Sequence, residues 1–155
     1  MNSFECLENE ACEDGIEVIH YHFKSDRIKG LYCNNTVALS NKLVTNAEKN
    51  CVLAEELGHH YTTCGDITEQ TTLMDRKQEQ RARFWAYNKM IGLQGIISAF
   101  KHGCRSSHEV AEFLEVTEEF LSEALKQYRS KYSPFVAIDN YVIYFEPDLC
   151  VLEIF

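Results

Sequence analysis

Proline and glycine are scarce in this sequence, with two prolines and seven glycines among 155 residues. Disordered chains are usually rich in such residues and poor in apolar ones, whereas 45% of this chain is hydrophobic. No apolar run approaches the roughly 18 residues needed to span a bilayer. The first residues also lack the basic start and the apolar core of a signal peptide. These absences predict a folded, cytoplasmic protein without a membrane segment.

The seven cysteines include no Cys-x-x-Cys spacing, and their number is odd. This pattern argues against a disulfide framework and against a zinc knuckle. Reduced thiols in a cytosolic core are the plain interpretation. Cys51 stands four residues before Glu55, where a thiolate could bind zinc. A buried structural thiol is favoured there, because cysteine is among the most buried residue types.

Charge is unbalanced, with 24 acidic against 15 basic residues and a net charge of −9. This balance opposes non-specific binding of nucleic acid, which requires neutralisation of phosphates by Lys and Arg. Residues 67–105 are an exception, because they carry seven bases against three acids. Such a basic strip could attract an acidic substrate segment, although solvated helical faces are commonly charged as well.

The most informative stretch is Cys51-Val-Leu-Ala-Glu-Glu-Leu-Gly-His-His60. It matches the helical zinc-peptidase pattern His-Glu-x-x-His, with Glu55 at the position of the first His. Residues four apart share one helical face, so Glu55 and His59 are the candidate ligands, and a carboxylate is acceptable to zinc. Glu56 points roughly 100° away, where it could activate water as general base. The alternatives are a solvated helical face and a contribution from the adjacent His60.

Glu79, on a second predicted helix, is the candidate third ligand. It stands at the head of a small-residue stripe that continues with Ala82 and Ala86. This stripe suits a close approach to another helix, and Gly58 offers a matching low spot on the motif helix. A two-ligand helix followed by a Glu on the next helix is the gluzincin arrangement in outline. The alternative for Glu79 is an exposed ion pair with Arg83, four residues later.

Several segments beyond the motif match a known family. They are Gly30-Leu31-Tyr32 with the turn Asn34-Asn35, residues 48–63, Gly65-Asp66, residues 78–86 and residues 110–120. Together these segments cover most of residues 15–132. In them the chain resembles the ImmA/IrrE metallopeptidases, especially the compact members found beside repressor genes in prophages and integrative elements. The resemblance implies a zinc-binding, gluzincin-like domain that cleaves a partner transcriptional repressor.

By position, the resemblance assigns metal ligation to His59 and Glu79 and general-base catalysis to Glu56. The first ligand falls on Glu55, where the better-known members carry His. The resulting prediction is a Zn²⁺ endopeptidase in which Glu56 takes a proton from water and passes it to the leaving amine. The expected substrate is a helix-turn-helix repressor. The rival hypothesis is an inactive peptidase fold that binds its partner as an antirepressor or antitoxin.

Two tyrosines near the motif are weaker candidates for the site. Tyr61 and Tyr87 could each donate a hydrogen bond to a tetrahedral oxyanion. Aromatic packing is the favoured interpretation for both residues.

Residues 107–128 have the form of a helix-turn-helix pair, with an N-cap at Thr117 before the second helix. Residues 106–133 hold six acids against three bases, which disfavours reading of DNA by the second helix. A helical hairpin that packs on the core or docks the substrate is the better interpretation.

The predicted fold is α+β: a gluzincin-like core of helices packed on a small β-sheet, then the helix-turn-helix-like pair and short terminal strands. We expect residues 1–105 to form the peptidase core and residues 106–155 to pack on it as one unit. The predicted elements are a helix at 3–13, a strand at 16–23, a hairpin at 30–39, helices at 46–62, 71–91 and 93–101, and strands at 135–138, 141–145 and 150–155.

Overall fold

The computed structural model describes residues 2–62 and 72–154. These ranges form an α+β fold of six helices and two three-stranded sheets. The helices are α1 (Ser3–Glu13), α2 (Asn46–Thr62), α3 (Thr72–Met90), α4 (Gly92–His102), α5 (Ser107–Leu114) and α6 (Glu118–Tyr132). The strands are β1 (Glu17–Tyr21), β2 (Gly30–Cys33), β3 (Thr36–Ser40), β4 (Phe135–Ile138), β5 (Tyr141–Tyr144) and β6 (Cys150–Glu153). The predicted α+β class is confirmed, and each predicted element is present with small shifts at its ends.

The chain divides by its contacts into two compact units, residues 1–89 and residues 90–155. Helix α4 belongs to the second unit, because it contacts α5 and β6. The sequence-based grouping into residues 1–105 and 106–155 instead places α4 with the peptidase core. That grouping stays a prediction about domain organisation.

Helix α1 begins at a capping box, which explains why it starts where the sequence predicts. The Asn2 side chain accepts a hydrogen bond from the Glu5 N–H at 2.8 Å, and the Glu5 carboxylate accepts one from the Asn2 N–H at 3.2 Å. This reciprocal pair satisfies two backbone donors that the first turn leaves open. The helix buries Phe4, Leu7 and Ala11, which recur at helical spacing, and it packs on α2 and β1.

The first sheet has the order β1-β3-β2, so β2 lies at an edge. Strand β3 is in the middle, parallel to β1 and antiparallel to β2, and it buries Val37 and Leu39 completely. The predicted hairpin turn is confirmed, with Asn34 at φ 48° and Asn35 at φ 58°. Positive φ at both central residues is the geometry of a tight two-residue turn, and asparagine tolerates it better than most residues.

The second unit contains the helix-turn-helix-like pair and the second sheet, whose order is β4-β5-β6. Helix α5 ends at Leu114 and is capped by Glu115, which has φ 56°, and the next residue, Val116, is buried. Thr117 caps α6 by accepting a hydrogen bond from the Phe120 N–H at 3.1 Å, as predicted. Residue Ile143 of the central strand β5 is fully buried in the core of this unit.

Two sequence-based expectations concern cysteines and membrane segments. The six cysteines within the described ranges are free thiols, and Cys51 is buried. Among residues 2–62 and 72–154, no helix combines the length and the apolar character that a membrane crossing requires. The Gly65-Asp66 segment of the family resemblance lies outside the described residues.

Candidate active site

Helix α2 carries the motif and packs its apolar side on the first sheet. Leu53, Ala54 and Leu57 are buried there, because they recur at three- and four-residue steps along one face. Glu55, Glu56 and His59 are all half-buried. The site therefore begins as three polar side chains on one helix, at the border between its buried and exposed faces. Glu55 and His59, four residues apart, lie on the same stripe of that helix.

The two helices of the site approach each other at Gly58 of α2 and Ala82 of α3. A Cβ atom built on Gly58 would lie 2.2 Å from the Ala82 carbonyl oxygen, far inside van der Waals contact. Ala82 and Ala86 are both fully buried. The predicted match between Gly58 and the small-residue stripe of the second helix is thus present. It brings the α3 backbone close enough for its side chains to reach those of α2.

Glu79 of α3 reaches His59 of α2 across this crossing. The His59 Nε2 atom lies 3.1 Å from the Glu79 Oε2 atom. The other Glu79 oxygen lies 3.7 Å from the Arg83 Nε atom, four residues later on the same helix. Both interpretations of Glu79 from the sequence therefore occur together. One carboxylate oxygen faces the motif helix, and the other faces the exposed arginine.

The acidity of the Glu56 carboxyl group is strongly perturbed. The pKa of Glu56 is raised from its ordinary value of 4.5 to about 7. Burial is the largest cause and the negative charges of Glu55 and Glu79 contribute as well, whereas a hydrogen bond from the Tyr32 backbone N–H opposes the shift. A carboxyl group that is buried among like charges holds its proton more tightly, as catalytic carboxyls often do. Glu56 is thus electrostatically coupled to both carboxylates predicted as ligands.

Strand β2 can donate a backbone hydrogen bond to Glu56, the one that lowers its pKa, because β2 is an edge strand. Its residues alternate between bonding β3 and turning their backbone N–H and C=O groups outward. The Tyr32 N–H is one of the outward groups, and it donates to the Glu56 carboxylate. Gly30 permits this close approach, since a Cβ atom there would lie 2.6 Å from Val52 Cγ1 and 3.1 Å from Glu56 Cγ.

His60 faces strand β2. Its Nδ1 atom lies 2.5 Å from the Tyr32 hydroxyl oxygen, and the two rings meet edge to face with centroids 5.3 Å apart. The Tyr32 hydroxyl also lies 3.2 Å from the Asn35 Oδ1 atom in the hairpin turn. His60 therefore bonds the sheet, while the adjacent His59 bonds Glu79.

His59 and Glu79 supply the two kinds of donor atom that zinc accepts in proteins. Two ligands of a tetrahedral zinc ion stand about 3.4 Å apart, given metal–ligand distances near 2.1 Å. The 3.1 Å separation of His59 Nε2 and Glu79 Oε2 fits such a pair. Glu55 does not complete it, since the described residues contain no group of three or more His, Cys, Asp or Glu side chains arranged for a metal ion. Two of the three predicted ligands are brought together.

The other sequence candidates near the motif have packing roles. The Tyr61 ring stacks on Trp85 with centroids 4.9 Å apart, and its hydroxyl donates a hydrogen bond to Asp14. Tyr87 is buried, as is Cys51 one turn before Glu55. These positions agree with the packing interpretation that the sequence favoured.

The contribution of Tyr32 was missed by the sequence interpretation. The residue belongs to a segment that matches the family, yet no role was assigned to it. Its position two residues before a hairpin turn was a usable signal, because alternation along an edge strand decides which backbone groups point outward. The acceptor of the Tyr32 N–H depends on where α2 packs against the sheet, and local sequence patterns do not predict that position.

A His and a Glu paired across two helices, beside a half-buried carboxyl group of raised pKa, are side chains of the kinds that metallohydrolase centres use. The model of a peptidase family, Peptidase_M78, described as the IrrE N-terminal-like domain, matches residues 12–126. The chain therefore belongs to the ImmA/IrrE family, as the sequence resemblance indicated. Membership implies a metallopeptidase of the IrrE/ImmA type, in a family that is generally zinc-dependent and acts on protein substrates. Among curated proteins, none matches this sequence significantly.

Proposed function

We propose that the chain is a zinc-dependent endopeptidase that cleaves a partner protein at the centre formed by Glu55, Glu56, His59 and Glu79. The observation that carries the proposal is the 3.1 Å contact between His59 Nε2 and Glu79 Oε2, beside a Glu56 carboxyl group with a pKa of about 7. A paired nitrogen and oxygen donor suits a metal ion, and a carboxyl group that titrates near neutral pH suits proton transfer.

Glu56 is the general base in this proposal. With a pKa of about 7, it is present in both protonation states at neutral pH. It accepts a proton from the attacking water molecule and returns it to the nitrogen of the leaving amine. A bound cation would favour the carboxylate form and lower this pKa, so that a larger fraction of Glu56 would be deprotonated and ready to accept the proton in the first of these two steps.

His59 and Glu79 would hold the metal ion, and Glu55, which does not stand with them in the described residues, would have to join them as the third ligand. When bound, zinc supplies Lewis acidity that lowers the pKa of water and polarises the peptide carbonyl. Arg83, which contacts the second oxygen of Glu79, keeps that carboxylate oriented toward α2. Glu55 adds a negative charge where a neutral imidazole is usual, so we expect weaker Lewis acidity than in a centre with two histidines.

The substrate in this proposal is a helix-turn-helix repressor encoded near the protein in a prophage or mobile element. The family resemblance supports this choice. The charge of α3 agrees with an acidic substrate segment, because its bases project into solvent beside the site. The exposed bases of α3 are Arg76, Lys77, Arg81, Arg83 and Lys89, of which Lys89 pairs with Glu10.

The test uses Glu56→Gln and a purified helix-turn-helix repressor encoded beside the protein. Glu56→Gln is expected to keep its metal and to abolish cleavage, because the amide is nearly isosteric but cannot accept the proton. Glu48→Gln, the same change two turns earlier on α2, is the matched control and should cleave normally. Mass spectrometry of the repressor after incubation gives the readout. Cleavage by the Glu56→Gln variant would refute the mechanism.

A second candidate function is sequestration without cleavage. The observation that favours it is Glu55, whose charge adds to those of Glu56 and Glu79 at one centre. An inactive fold of this kind would act as an antirepressor or antitoxin. An intact repressor in a tight complex, with no metal in the protein after zinc is added, would support this alternative over the endopeptidase.

A further inference from the structure

Tyr32 bonds helix α2 twice, once through its backbone and once through its side chain. The backbone N–H donates to the Glu56 carboxylate, and the hydroxyl group bonds His60 Nδ1 at 2.5 Å. Glu56 and His60 are four residues apart, so they lie one turn above each other on the same face of α2. A single residue of an edge strand therefore spans two successive turns of the helix that carries the catalytic motif.

The direction of the side-chain hydrogen bonds follows from their donors. The Tyr32 hydroxyl has one hydrogen, and the Asn35 Oδ1 atom at 3.2 Å can only accept it. With that hydrogen on the Asn35 bond, the hydroxyl oxygen accepts a hydrogen bond from His60 in the tautomer that carries its hydrogen on Nδ1. Either direction joins His60, Tyr32 and Asn35 in one run of hydrogen bonds.

Strand β2 lies close to α2 at Gly30. A Cβ atom at Gly30 would lie 2.6 Å from Val52 Cγ1, so a larger residue would push the strand away. Glycine permits the approach but provides no attraction. The hydrogen bond between the Tyr32 hydroxyl and His60 provides a directional link from β2 to α2. His60 is half-buried, and its ring lies edge to face against the ring of Tyr32.

We propose that Tyr32 is a positioning residue for Glu56. The hydroxyl group, held between His60 and Asn35, fixes strand β2 so that the Tyr32 backbone N–H orients the Glu56 carboxylate. The catalytic meaning of this inference rests on the proposed role of Glu56 as general base. The hydrogen bond to Glu56 can be measured without any cleavage reaction.

The test follows the backbone amide of residue 32 by ¹⁵N–¹H NMR and by hydrogen exchange in the full-length protein. Measurements at about pH 8 lie above the Glu56 pKa of about 7. Glu56→Ala removes the acceptor and defines how the amide behaves without it. Tyr32→Phe removes only the hydroxyl group and keeps the ring. Tyr21→Phe is the matched control, because Tyr21 is an exposed tyrosine on β1, at the opposite edge of the same sheet.

We expect Glu56→Ala to shift the residue-32 amide proton upfield and to speed its exchange. Tyr32→Phe should shift the amide in the same direction and speed exchange by roughly tenfold, whereas Tyr21→Phe should leave it unchanged. His60→Phe should reproduce the effect of Tyr32→Phe, and the double variant should add nothing, because both changes break the same bond. His60→Phe also serves as the test if Tyr32→Phe fails to fold.

An unchanged residue-32 amide in folded Tyr32→Phe or His60→Phe would overturn the proposal. The same holds if the amide does not respond to Glu56→Ala. Neither result depends on a substrate, so failure of the protein to cleave any repressor leaves this measurement intact. With a cleavable repressor, Tyr32→Phe should lower kcat by roughly tenfold at unchanged KM, which is the signature of a misoriented catalytic group.

Discussion

Gly58 lies against the backbone of Ala82, so closely that a Cβ atom on Gly58 would be 2.2 Å from the Ala82 carbonyl oxygen. Since the obstructing atom belongs to a buried helix backbone, it has no rotamer into which it can move. This contact sets the separation of α2 and α3. Within the same crossing, His59 and Glu79 come to 3.1 Å of each other. The absence of a side chain at Gly58 is therefore what permits the proposed metal centre to form.

The first prediction concerns Gly58→Ala. The new methyl group must push α2 and α3 apart, so we expect the free energy of unfolding to fall by about 2 to 4 kcal/mol. Zinc affinity should fall as well, because His59 and Glu79 separate. Denaturant unfolding and metal titration measure the two effects. Gly95→Ala is the control: its Cβ would meet the Leu114 Cδ2 atom at 3.4 Å and the Ile91 Cγ2 atom at 3.7 Å, which are ordinary contacts, and the change should stay within about 1 kcal/mol. Equal effects of the two substitutions would contradict the assignment of the crossing to Gly58.

The second prediction concerns metal content. Protein purified without chelators should contain about one zinc ion per chain, held at a site with an exchangeable fourth position. His59→Ala and Glu79→Ala should each lose the metal. His108→Ala should keep it, because His108 is an exposed histidine paired with Glu112 and Glu118 in the second unit. Elemental analysis provides the measurement. Full zinc occupancy in the His59→Ala variant would remove that residue from the ligand set.

The third prediction concerns Glu55→His. This change restores the usual first ligand and replaces a charged oxygen donor with a neutral nitrogen donor. We expect zinc to bind on the order of tenfold more tightly, and cleavage to be faster because the metal regains Lewis acidity. Competition with a chromogenic chelator measures the affinity. An affinity equal to that of the parent would mean that residue 55 does not reach the metal.

The fourth prediction concerns the pH dependence of stability. Burial and the nearby charges of Glu55 and Glu79 raise the pKa of Glu56 from 4.5 to about 7, so between these pH values the folded protein keeps a proton that the unfolded chain has lost. Unfolding then releases a proton, and stability falls as the pH rises through this window and levels off above it. The size of this loss is about 1 to 3 kcal/mol, discounted because the group is only partly buried.

Glu56→Gln removes this titration. The variant should therefore be more stable than the parent at about pH 8. It should lose this advantage near pH 4, where the Glu56 carboxyl group of the parent is largely protonated in both the folded and the unfolded state. Urea unfolding at a series of pH values, with a chelator present throughout, is the measurement. Glu48→Gln is again the control and should follow the parent. A parallel pH dependence in Glu56→Gln and the parent would contradict the raised pKa.

Local patterns in the sequence predicted many parts of this fold. The helix at 3–13, the asparagine turn at 34–35 and the cap at Thr117 depend on backbone groups within a few residues, which explains why they could be read from sequence. The stripe that begins at Glu79 was also readable, because helical periodicity determines which residues share a face. The sheet order was not predicted. The parallel pairing of β1 with β3, which leaves β2 at the edge, joins segments that are separated by a whole strand.

The sequence by itself determined that Glu55 and His59 share one face of α2, and that Glu56 points away from that face. It also left two interpretations open for Glu79: an ion pair with Arg83 on its own helix, or a position beside the motif helix as a metal ligand. Only the tertiary structure decided that Glu79 reaches His59, because that contact depends on how closely α2 and α3 cross. The pKa of Glu56 is likewise a tertiary property. It arises from burial, from like charges on two helices and from a backbone N–H of an edge strand, and these distances exist only after the chain has folded.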